Sequence, residues 1–160
     1  MSEVKFGKAI TLKQAATLIK SNPETRFLLQ GEPGIGKSSI LETIADSLGY
    51  EHAYIDVPNM DLGDIAMPVI NHDTKTTAYY PNARFKVHLG KPVITMLDEF
   101  TKGAEPIKNM LPPLLEVANP RLGDISVHPE SIVFLTGNLG SDGVGDSLKA
   151  HSRNRIIPLT

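Results

Sequence analysis

Residues 26–39, "RFLLQGEPGIGKSS", constrain this chain more than any other stretch. A short apolar run from Arg26 to Gln30 passes through three glycines and a proline into a segment of helical periodicity. Glycine loses more conformational freedom on folding than any other residue, so this density of it needs a physical reason. Gly31-Glu32-Pro33-Gly34-Ile35-Gly36-Lys37-Ser38 fits G-x-x-x-x-G-K-[ST], with a strand before it and a helix after. In that setting successive backbone N–H groups turn inward onto phosphate oxygens, and the helix N-terminus adds partial positive charge. A side chain would block the approach, which is why glycine stands where backbone meets ligand. Lys37 then reaches the β- and γ-phosphates, and the Ser38 hydroxyl ligates Mg²⁺. The candidate nucleotide-binding set is Gly31, Glu32, Pro33, Gly34, Ile35, Gly36, Lys37, Ser38 and Ser39. At ordinary residue frequencies the four fixed positions recur by chance in roughly one chain of this length in 200.

The flanking pattern predicts an α/β domain. Thr11 followed by Gln14 is a capping box, and Leu12, Ala15, Ala16 and Ile19 make a helical stripe that Pro23 ends. A second helix follows the glycines, with Ile40, Leu41, Ile44, Ala45 and Leu48 on one face and Gly49 at its C-cap. "HAYIDV", Val93 to Leu97, Ile132 to Leu135 and the weaker "RIIPL" complete the strands. Runs apolar on both faces that alternate with helices predict a mainly parallel sheet with helices covering it. "AEPIKNMLPPLLEVA" reads as a helix that Pro112 and Pro113 bend or split. The long stretch from Asn59 to Gly90 exceeds a simple connection; its "DTKTTAYY" is suited to a hairpin in an inserted element.

Two carboxylates narrow the chemistry. Asp98 and Glu99 end the "VITMLDEF" strand, at the edge where open parallel sheets bind ligands. There Asp98 can hold Mg²⁺ and Glu99 can polarise the water that attacks the γ-phosphate. A kinase transferring to a bound acceptor does not need that glutamate, and no Asn-Lys-x-Asp guanine reader occurs, so ATP hydrolysis is favoured over kinase and GTPase chemistry. Asn138, after "FLTG", can orient water or meet the γ-phosphate. Arg153 and Arg155 precede the last strand and can serve a neighbouring subunit's nucleotide.

The net charge of −2 gives no global attraction to nucleic acid. One local patch, Arg84, Lys86, His88 and Lys91, reads first as a solvated strand edge, with a substrate-facing or nucleic-acid-facing loop as the alternative. The chain has no cysteine, and no apolar run nears the roughly 18 residues that span a bilayer. With no signal-peptide pattern at its start, it is expected to be soluble and cytoplasmic, in the host cytoplasm if viral.

In this order, the phosphate loop, the Asp-Glu strand end, the Thr-Gly-Asn strand end and the late arginines resemble the AAA+ ATPases over nearly the whole chain. "GEPGIGKSS", "DLGDIAMPVI", "YYPNARF" and "LDEFTKGAEPIKNMLPPLLE" are most similar to the MoxR-type group and its phage or prokaryotic relatives. The resemblance implies a P-loop NTPase fold, three layers α/β/α, around a five-stranded parallel sheet of order 5-1-4-3-2. It implies a hairpin inserted in the second helix within Asp61 to Tyr80, at about residues 59–82 of a single 1–160 subdomain, and a further hairpin near Arg121 to His128. Lys37 and Ser38 become Walker A residues, Asp98 and Glu99 Walker B, Asn138 sensor 1, and Arg155 or else Arg153 the arginine finger. Asn59 is placed to restrain Glu99 as a switch. ATP and Mg²⁺ are the implied cofactors, and a homo-oligomeric ring, usually hexameric, the implied assembly. No segment up to Thr160 is expected to form the family's helical lid, and Thr95 and Met96 stand where aliphatic residues are usual. The resulting expectation is an ATP-hydrolysing remodelling ATPase acting on a protein client. The alternatives are a non-catalytic ATP-dependent assembly module and a DNA-linked motor.

Overall fold

Parallel pairing of the apolar runs builds the molecule's centre. The computed structural model describes residues 9–31, 36–137 and 154–158, the last group by backbone alone. The strands that meet are β1 (Arg26–Gln30), β2 (Glu51–Asp56), β5 (Val93–Asp98), β8 (Ile132–Gly137) and β9 (Asn154–Pro158). Their order is β2-β5-β8-β1-β9, all parallel. Four carry described side chains; β9 closes the far edge beside β1, pairing Phe27 with Arg155.

Alternation along each strand feeds two cores, one on each face. Phe27, Leu29, Ile94, Met96, Ile132 and Phe134 face helices α1 (Leu12–Ser21) and α2 (Lys37–Leu48). Leu28, Val93, Leu97, Val133 and Leu135 face a second cluster that includes Ile107, Leu111, Leu114 and Leu115. A sheet with both faces covered has no solvated side, which is why β1, β5 and β8 read as nearly unbroken apolar runs. Met96 lies wholly inside the first core and Thr95 is buried on the other face.

The helix signals act as their chemistry requires. Thr11 Oγ1 accepts from the Gln14 N–H at 3.2 Å, and the Gln14 side chain accepts from the Thr11 N–H at 2.9 Å. Gly49 ends α2 in the left-handed conformation. The two prolines split their segment into α3 (Glu105–Met110) and α4 (Pro112–Leu115). Arg26, 3% exposed, fixes the end of α4 to the start of β1, its guanidinium donating to the Leu115 carbonyl at 3.2 Å and the Glu116 carbonyl at 3.1 Å.

Between β2 and β5 the chain makes a two-stranded hairpin, β3 (Ala66–Asn71) and β4 (Thr76–Pro81). Its flanks are 3₁₀ turns at Val57–Asn59, Leu62–Asp64, Ala83–Phe85 and Val87–Leu89, where the resemblance implied a second α-helix carrying the hairpin. Pro58, Gly63, Pro81 and Gly90 punctuate these segments too closely for a regular helix to propagate. A shorter hairpin, β6 (Arg121–Leu122) and β7 (Ile125–Ser126), packs against β4 through its turn.

Candidate functional site

The C-terminal ends of β1, β5 and β8 and the N-terminus of α2 converge on one edge of the sheet. Of the segment expected to cradle phosphate, Gly31, Gly36, Lys37, Ser38 and Ser39 are described; Glu32, Pro33, Gly34 and Ile35 lie outside the described residues. Gly36 is the N-cap of α2 at φ 89° and ψ 27°, a left-handed conformation that glycine adopts without the Cβ penalty. No side chain caps this helix start. The Ser39 hydroxyl donates to the Gly36 carbonyl at 2.7 Å, within the helix's own first turn. The Ser38 side chain is exposed.

Lys37 is the unusual group. It is 8% exposed, and its ammonium donates to the main-chain carbonyls of Gly31 and Gly137, each at 3.2 Å. Those carbonyls belong to the exits of β1 and β8, which a further bond from the Gly31 N–H to the Gly137 carbonyl, 3.3 Å, also ties together. A buried ammonium is costly unless an anion or hydrogen bonds compensate it. Here two neutral carbonyls hold it at an uncapped helix N-terminus.

Across the same edge runs a hydroxyl–carboxylate–hydroxyl line on three adjacent strands. The fully buried Thr136 donates from Oγ1 to Asp98 Oδ1 at 2.6 Å, and the same Oγ1 accepts the Glu99 N–H at 2.9 Å. From the other side the Tyr54 hydroxyl donates to Asp98 Oδ2. That hydrogen bond, then burial, then the charges of Asp98, Asp56 and Glu99 push the Tyr54 phenol well above its ordinary range. Register brings the line together: Tyr54 pairs with Met96, two residues before Asp98 on the same face, and Leu97 pairs with Leu135, just before Thr136.

Glu99 leaves the strand at φ 53° and ψ 44°, a left-handed conformation uncommon for a residue with a side chain. Thr136 holds its N–H, and Lys102 pairs with its Oε2 at 2.9 Å. Asn59, expected to restrain Glu99, donates instead to Asp56 Oδ2 at 2.7 Å, because the 3₁₀ turn after β2 folds it back over its own strand end. Asn138 and Arg153 lie outside the described residues, and Arg155 is described by its backbone alone. The site thus gathers Lys37, Ser38, Asp98 and Glu99, and adds Tyr54, Thr136 and Lys102, which the sequence reading missed. Tyr54 and Thr136 share the alternation parity of Asp56 and of Phe134, but linear spacing carries no register between strands.

The basic patch is not a strand edge. It lies on two 3₁₀ turns anchored by the buried Phe85 and Val87, and Arg84 is paired with Asp64 at 3.1 Å. A groove of about 550 Å³, lined by Arg26, Tyr50 and Glu130 among others, opens at the N-terminal ends of β1 and β8, opposite the Lys37–Asp98 edge. No helix among the described residues is long and apolar enough to cross a membrane.

Comparison with known proteins bears on this geometry. The family model of the AAA domain, dynein-related subfamily, matches residues 26–150. No curated protein is a match to the chain. Among solved structures, a Thermotoga maritima RuvB variant is 18% identical with a TM-score of 0.57, covering 93% of this chain and 45% of its own. A Cytophaga hutchinsonii protein assigned as an ATPase is 17% identical with a TM-score of 0.52, covering 84% of this chain and 41% of its own. At these identities the likeness is one of fold, and the chain spans less than half the length of either structure.

Proposed function

The chain belongs to the dynein-related subfamily of AAA domains, and on that premise we propose that it binds and hydrolyses ATP as a MoxR-like remodelling ATPase, acting as a homo-oligomeric, hexameric ring on a protein client. The observation that carries this reading is Lys37, a buried ammonium at an uncapped helix start, held only by carbonyls among its described partners. A triphosphate laid across that helix start supplies the anion that the lysine's described partners do not. Gly31, Glu32, Pro33, Gly34, Ile35 and Gly36 form the cradle in this proposal. Asn138 meets the γ-phosphate, and Arg155, or else Arg153, completes a neighbour's site.

The oxygen donors at this edge suit magnesium. Asp98 offers a carboxylate fixed on one side by Thr136, and Ser38 offers an exposed hydroxyl; hard oxygen ligands shared with substrate phosphates are the usual Mg²⁺ environment. When bound, the metal neutralises charge on the β- and γ-phosphates. Glu99 takes the proton from the attacking water once its carboxylate is free of Lys102.

Titration calorimetry with ATP and Mg²⁺ tests the reading. The parent chain is expected to bind, and Lys37→Ala to bind at least about tenfold more weakly, the scale of a hydrogen bond to a charged group. Equal heats for a folded Lys37→Ala and the parent, or none for either, would overturn it. A second reading, a nucleotide-dependent assembly module that scarcely turns over, is favoured by the grip of Lys102 on Glu99. Measurable binding with no phosphate release at any protein concentration would select it.

A further inference from the structure

The two hydrogen bonds on Asp98 are unequal in a way the proposed reaction does not require. Thr136 is fully buried and doubly engaged, so its bond to Oδ1 is fixed. Tyr54 reaches Oδ2 from β2, the edge strand of the sheet, and is 48% exposed. Packing does not explain the hydroxyl: a phenylalanine ring would cover the same surface, and the described partner of the phenol oxygen is the Asp98 carboxylate. The donor therefore acts on Asp98, and the half-exposed ring can turn its hydroxyl to water at little cost in buried area.

We propose that Tyr54 is a positioning residue for Asp98, whose hydroxyl occupies Oδ2 and has to leave it for magnesium nucleotide to bind. The inference rests on the reading that Asp98 serves Mg²⁺. A carboxylate oxygen that accepts a phenolic O–H presents less negative charge to a cation. Hydrogen bonds to charged groups change such equilibria by about ten- to a hundredfold. Tyr54 thereby sets how much Mg²⁺ the chain needs before it holds ATP, while leaving the lysine-dependent part of nucleotide binding untouched.

The experiment compares the parent chain with Tyr54→Phe. Calorimetry measures ATP binding without Mg²⁺ and then across a Mg²⁺ series. The two proteins are expected to bind alike without the metal, and the variant to reach half-maximal enhancement at about tenfold lower Mg²⁺. The sequence has four tyrosines and no tryptophan, so beyond the short-wavelength phenylalanine absorption the near-ultraviolet band is tyrosine's alone. On its red edge, where adenine does not absorb, the parent is expected to give a difference signal with Mg²⁺ and ATP, absent with ATP and chelator and absent in the variant. An unchanged Mg²⁺ requirement, a shift to higher Mg²⁺, or a signal persisting in Tyr54→Phe would overturn the proposal while metal-dependent binding by the parent keeps the nucleotide reading intact. Metal-independent binding, or none, by the parent overturns the role of Asp98 and this inference with it. A purely structural role for Tyr54 would alter binding with and without Mg²⁺ alike, which also counts against it.

Discussion

A strained glutamate at a strand exit is the feature most open to test at the scale of single residues. Glu99 adopts a left-handed backbone that costs a residue with a side chain about 1–2 kcal/mol. The Thr136 hydroxyl over-determines this conformation by accepting the Glu99 N–H while donating to Asp98. Thr136 thus couples the carboxylate proposed for the metal to the backbone of the one proposed for water. Replacing Glu99 with Gln keeps the shape and the Thr136 bond but removes the base. ATP affinity is expected to stay within about twofold, and phosphate release to fall about a hundredfold or more, the usual contribution of a general base. A coupled phosphate assay reads the second quantity, and undiminished release would remove Glu99 from its role. The placement of Lys37 at a helix start and of Asp98 and Glu99 at a strand end was legible because residue types at fixed spacings mark those ends in the sequence. Tyr54 and Thr136 were not, because their partner is 44 and 38 residues away and strand register decides the meeting.

Among the secondary-structure elements, the two hairpins explain each other. Tyr79 of β4 donates its N–H to Asp124 Oδ2 at 2.6 Å and accepts the Asp124 N–H on its carbonyl at 2.8 Å. Its backbone groups therefore point out of the β3–β4 ladder, and so do those of its partner Pro68. Proline at that position sacrifices no ladder bond. The contact also covers an edge that would otherwise be open to pairing. Gly123 makes the close approach possible: φ is +59°, and an added Cβ would stand 2.5 Å from the Tyr79 carbonyl oxygen. Gly123→Ala is expected to destabilise this junction by at least about 1–2 kcal/mol from backbone strain alone. Amide exchange localises the effect: faster exchange over residues 66–81, with the central sheet protected, is the expected pattern, and unchanged exchange there would show the junction to be dispensable. The β3–β4 hairpin could be placed from Thr- and Tyr-rich composition, and the break at Pro112 from proline's missing N–H. The 3₁₀ turns on either side of that hairpin, between β2 and β5, could not, since closely spaced prolines and glycines exclude a long helix without specifying what succeeds it.

For the whole molecule, the question is whether one chain holds a complete site. Parallel strands put Lys37, Asp98 and Glu99 at one edge of the sheet, with the chain direction common to all five strands. Arg155 is the second residue of β9, and its backbone pairs with Phe27, four residues before Gly31. At about 3.3 Å per residue this sets it roughly 13 Å below the edge proposed to bind phosphate. One guanidinium does not span that distance back to its own loop, so an arginine finger at this position acts on the nucleotide of another copy. Turnover per subunit is then expected to climb with protein concentration and to saturate once the assembly forms. Arg155→Ala should hold ATP as the parent does and lose about 10³-fold in saturated turnover, the lower end of what such an arginine contributes. Mixing inactive Glu99→Gln with Arg155→Ala should restore part of the rate, because a Glu99→Gln subunit can lend its arginine to a neighbour with an intact glutamate. A rate independent of concentration, with no recovery on mixing, would instead mean that each chain hydrolyses alone and that Arg155 serves the structure of its own strand.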